Sequence, residues 1–110
     1  EWGDPAACGA IHEAMAAYSP LDGLRPGGPY PAMMLAVAEN DVRVPFTHSL
    51  DYLSRLRELS PATAAASPPQ MLLLRETGGH LGEGGRYRRL EQASVEGAFL
   101  IHAVGQSPAR

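Results

Sequence analysis

Two short apolar runs without polar alternation set the frame of this chain: MMLAVA at 33–38 and MLLLRE, the second such run, at 71–76. Runs that are apolar at odd and even positions alike suit strands covered on both faces, as in parallel sheets. Between them Phe46, Leu50, Leu53, Leu56 and Leu59 recur at helical spacing with Asp51, Arg55 and Glu58 off the stripe, which predicts a helix from Pro45 to Leu59. Arg55 and Arg57 fall in its last turns, where cations suit the helix dipole. Upstream, Ala7, Ile11, Met15 and Tyr18 predict a helix over 6–18 whose stripe lies on the body of the protein, with Asp4 as N-cap and Pro5 at its first position. Downstream, a helix begins near Arg86, presents Tyr87, Leu90, Ser94, Ala98 and Ile101, and ends around Gly105 before a flexible tail at 106–110. Residues 21–31 and 60–70, rich in glycine, proline or small residues, read as a surface loop and a mobile loop. The order is α-β-α-β-α, an α/β fold. Two parallel strands make a poor sheet alone, so the segment is expected to be the edge of a larger doubly wound sheet.

The polar residues that end the two runs carry the candidate chemistry. Asp41 follows the first strand and His80 sits in the glycine-rich turn TGGHLGEGG after the second, 39 positions on. That separation is about one crossover helix plus a loop, so both would emerge at the carboxyl edge of the sheet, where ligands gather in open α/β folds. An acid and then a histidine, each at the end of its own parallel strand, are the last two members of the Ser, Asp, His order of α/β-hydrolases. Ser19, Ser49, Ser54, Ser60, Ser67, Ser94 and Ser107 have no G-x-S-x-G surroundings, so the nucleophile is expected upstream. Plainer roles stand beside these: Asp41 as a cap of the following helix, with equal weight, and His80 as a solvated loop residue. Glycines on both sides of His80 favour close approach of a substrate. A metal held by Asp41, His80 and Glu83 lacks any recognised ligand spacing, and the glycine loop lacks the lysine of a phosphate loop. His12, His48 and His102 fall on helices and read as structural.

Composition narrows the picture further. At 110 residues and 45% hydrophobic the chain is at most one domain, and a net charge of −3 gives no electrostatic case for nucleic acid. No run of ~18 apolar residues points to a membrane span, and no charged-then-apolar start resembles a signal peptide. The single cysteine, Cys8, excludes an internal disulfide; it reads as a small core residue on the first helix and suits a reducing, cytoplasmic setting. The chain opens on Glu1-Trp2-Gly3 without methionine, which reads as a fragment.

Taken together, EWGDP at 1–5, YSP at 18–20, YPAMMLAVAENDVRVPFTHSL at 30–50, LLLRETGGH at 72–80 and GRYRRLEQ at 85–92 resemble the carboxyl-terminal end of the prolyl oligopeptidase family of serine peptidases, above all its oligopeptidase B branch. The resemblance implies that residues 1–105 are the C-terminal part of an α/β-hydrolase fold, in a larger protein whose β-propeller restricts entry to short peptides. It implies Asp41 as the triad acid, His80 as the triad base, Arg43 as the holder of a substrate carbonyl, and no metal or cofactor. The acidic residues that recognise a basic side chain in one branch lie upstream of Glu1, which leaves basic and proline preferences both open. Leu81 stands where the family commonly has glycine, and the 60–70 loop carries extra alanine and proline. The family also contains prolyl endopeptidase-like proteins, so a non-catalytic interaction protein or truncated remnant is the alternative reading; a generic esterase is a third.

Overall fold

A computed structural model of the chain describes residues 3–60, 68–82 and 84–105. Most of the 60–70 loop, the 106–110 tail, Glu1, Trp2 and Glu83 lie outside the described residues. The elements are α1 (Gly9–Ala16), β1 (Met33–Ala38), α2 (Phe46–Leu59), β2 (Gln70–Arg75) and α3 (Arg86–Gly105). The predicted order stands, with β2 one residue earlier than its apolar run suggested.

The two strands pair in parallel, Met33 opposite Gln70 through Ala38 opposite Arg75. Because side chains alternate across a strand, this register puts Leu35 and Leu72 on one face together with Met33. That face receives α2: Leu53 and Leu56 are essentially fully buried and pack with Leu24, and Tyr30, Met33, Leu35, Tyr52, Leu59 and Leu72 close around them. Each fully buried leucine contributes about 2 kcal/mol through the apolar surface it removes from water.

The 21–31 stretch is more than a surface loop, since it supplies Leu24 and Tyr30 to this core. The Tyr30 hydroxyl closes the loop on itself, accepting from the Arg25 N–H (2.6 Å) and donating to the Arg25 carbonyl (2.9 Å). The Gly27 N–H then donates to the Leu59 carbonyl (3.0 Å), satisfying one of the acceptors left over at the end of α2.

Three expectations need correction. The signal at Asp4-Pro5 forms a separate turn, in which the Asp4 carboxylate accepts the Ala6 N–H (2.9 Å), and α1 starts four residues later with an extended Cys8 at its N-cap. Gly3, at φ +81, lets the chain fold back against Ile11; a Cβ there would lie 2.5 Å from the Ile11 Cδ1. Cys8 is exposed and belongs to no core, because its position at the cap turns it away from the α1 stripe. On α3 the expected stripe is the wrong side of the helix: Tyr87, Leu90, Ser94, Ala98, Leu100 and Ile101 are exposed, and the partly covered positions are Gln92, Glu96, Gly97, Phe99 and Ala103. The covered side meets Arg75 of β2, whose guanidinium donates to the Gln92 side-chain Oε1, and the Gln92 Nε2 donates to Glu96 (2.7 Å).

Candidate active site

The site is built where the two strands end. The last rung of the backbone ladder is the Glu39 N–H donating to the Arg75 carbonyl (2.8 Å). The first chain then bends, with the Asp41 N–H donating back to the Ala38 carbonyl (3.2 Å). This turn carries Asp41 out of the sheet toward the second loop.

That second loop is a tight turn. Gly79 and Gly82 exchange backbone hydrogen bonds in both directions (3.3 and 2.9 Å), leaving His80 and Leu81 as its two central residues. Gly82 has φ +87, a conformation that glycine adopts without strain and that closes a two-residue turn of this kind. His80 is thereby presented at the tip and its Nδ1 lies 3.0 Å from the Asp41 Oδ2. Asp41 is the better covered partner, its side chain 14% exposed against 40% for His80.

The other carboxylate oxygen of Asp41 is also occupied. Its Oδ1 accepts the backbone N–H groups of Arg43 (2.9 Å) and Val44 (3.0 Å). The Val44 N–H, with the Arg43 N–H and the His80 ring acting in the same direction, holds this carboxyl below its ordinary value in spite of desolvation. Asp41 is therefore not the cap of α2, as its plainer reading had it: one oxygen organises the 42–44 turn that leads into the helix, and the other faces the imidazole. The helix N-cap itself is Pro45, whose ring carries no hydrogen-bonding group to cap with.

Arg43 is tied to the site by its backbone; its side chain is exposed. Leu81 is 94% exposed next to His80. His12, His48 and His102 are exposed on α1, α2 and α3. No three His, Cys, Asp or Glu side chains among the described residues are grouped to hold a metal ion. Glu83, the remaining member of the alternative metal set, lies outside them.

Further residues support the site that sequence reasoning had not singled out. Asn40 donates its side-chain amide to the Glu76 carbonyl (2.9 Å), and Arg88 of α3 donates to the Thr77 hydroxyl (3.0 Å). Only the run Glu39-Asn40-Asp41, polar where the strand stops, hinted at the first of these.

An imidazole held at Nδ1 by a carboxylate presents Nε2 as a proton acceptor in a fixed tautomer, with the developing imidazolium stabilised by the acid. The pair by itself has no nucleophile.

Comparison with known proteins gives this geometry its context. Protease 2 of Moraxella lacunata is 30% identical over 107 residues, which are 96% of this chain and 14% of that protein. A prolyl endopeptidase-like protein of Xenopus laevis is 36% identical over 58 residues, 53% of this chain and 8% of that protein. The structure of oligopeptidase B from Leishmania major superposes with a TM-score of 0.79 at 25% identity, covering 96% of this chain and 14% of that one. The chain thus spans a small part of the length of these relatives, and its fold is that of the C-terminal region of an α/β-hydrolase catalytic domain. Residues 1–107 match the model of the prolyl oligopeptidase family, and the chain belongs to that family.

Proposed function

We propose that this chain supplies the acid and the base of a serine oligopeptidase whose nucleophile and oxyanion-hole donors come from polypeptide outside this sequence. A serine hydroxyl attacks the carbonyl of a short peptide while His80 takes its proton at Nε2. The same histidine returns the proton to the departing amine, and water then releases the acyl group by the reverse sequence. Asp41 fixes the His80 tautomer through the 3.0 Å contact, and that contact is the observation that carries the reading. Arg43, two residues beyond the acid on the exposed side of the 41–45 turn, is the proposed holder of a substrate carbonyl. The rest of the hydrolase domain and a β-propeller are the proposed partners of this segment, and the cytoplasm its proposed setting. No cofactor takes part.

The test uses the complete polypeptide containing this chain, a fluorophosphonate serine probe and a peptide substrate. His80→Ala is expected to abolish labelling and to lower kcat by about 10⁴-fold or more, because triad members act as a unit. Absence of labelling in the wild type would overturn the proposal and favour a non-catalytic interaction protein; labelling that persists without His80 would overturn the role given to His80.

A further inference from the structure

We infer that Asn40 is a positioning residue that sets the distance between the acid and the base. The inference rests on the peptidase reading for its functional consequence and on hydrogen-bond geometry for its substance.

The backbone ladder between the strands stops at Glu39 N–H to Arg75 C=O. Extending it would keep residue 41 in the sheet; instead the chain bends so that the Asp41 N–H returns to Ala38 and its carboxylate swings toward His80. A ladder that ends this early leaves the two loops free to drift apart. The Asn40 side chain takes the place of the missing rung: its Nδ2 donates to the carbonyl of Glu76, 36 residues away, at 2.9 Å. Asn40 is the residue directly before the acid, and Glu76 opens the loop that leads to the base.

A second observation points the same way. The Asn40 carbonyl lies against the histidine turn, 3.7 Å from where a Cβ of Gly79 would stand. Asn40 therefore bonds the base-bearing loop at its start, through its amide, and its backbone passes close to the turn that presents His80. It is solvent-exposed and contributes to no hydrophobic core, so the fold does not depend on it. Removal of the amide is expected to loosen one loop relative to the other, and misplacement of a catalytic group by about 1 Å costs on the order of 100-fold in rate.

The experiment compares wild type, Asn40→Ala and Asn40→Asp in the complete polypeptide. Asn40→Asp keeps the shape but turns a donor into an acceptor facing the Glu76 carbonyl, so it should be at least as harmful as alanine. Expected are a fall in kcat of about tenfold or more with KM within about twofold, and a broadened or lost Nδ1–H proton resonance of His80 in isotope-labelled protein. Thermal unfolding reports whether each variant is folded. Unchanged kcat together with an unchanged His80 resonance in folded variants would overturn the inference, as would a loss confined to KM. If the wild type turns over no peptide, the peptidase reading fails by itself. The His80 resonance still decides whether Asn40 sets the pair, a broadened signal in the folded variants supporting the inference and an unchanged one overturning it.

Discussion

Asp41 makes three contacts with two oxygens. It orders the turn before α2 through two backbone N–H groups and faces His80 with the remaining oxygen. Its lowered pKa is the thermodynamic expression of those contacts, the Val44 N–H foremost. A carboxyl whose folded pKa is depressed contributes stability that is complete above its unfolded value, near 3.8, and is lost as pH falls through the lower folded value. The 41–45 turn is therefore expected to hold its order down to pH ~4 and to loosen on further acidification. Amide hydrogen exchange at Arg43 and Val44, followed against pH, would show this as a rise in exchange beyond the intrinsic pH trend. Flat protection through that range would mean that the carboxylate does not organise the turn. At this scale the sequence was informative because acid, histidine and flanking glycines are all short-range signals. Asn40 escaped it because the value of an exposed amide depends on which carbonyl lies across the sheet.

Among the elements, β1 and α2 were readable almost to the residue, and for one reason: each buries a face against the other, so its pattern records its own packing. Leu56 sits at the centre of that contact with no exposed surface. Leu56→Ala should lower stability by roughly 2–5 kcal/mol, measured by denaturant unfolding of the complete catalytic domain, with no new side chain in place to fill the space. A cost below about 1 kcal/mol would show that the α2–sheet contact is looser than its burial implies. The less legible elements fail for different physical causes. Asp4-Pro5 has the composition of a helix start but uses its carboxylate on the Ala6 N–H, so α1 begins later at Gly9. On α3 the apolar stripe lies off the side that meets β2, where the Arg75 guanidinium donates to the Gln92 side chain.

At the scale of the whole molecule, apolar surface is left uncovered. Tyr87, Leu100, Ile101 and Val104 of α3 are 82, 61, 78 and 72% exposed, and Met71 and Leu74 of β2 are also open. Large apolar side chains left open in this number mark surface that other polypeptide covers, and a two-stranded sheet leaves strand edges to pair. Produced alone, the 110-residue chain is expected to self-associate, which sedimentation velocity would register as species heavier than 11.7 kDa. A monodisperse monomer would mean that these surfaces close on themselves. The pairing of Ala38 with Arg75 has a consequence of another kind. A slip of one residue between the strands would displace the acid from the base by about 3.3 Å and turn alternate side chains to the opposite face. The hydrogen bond between Asp41 and His80 is then a gauge of correct strand alignment. On the proposed peptidase reading, a wrongly assembled copy would be chemically silent and pose no proteolytic hazard to its surroundings.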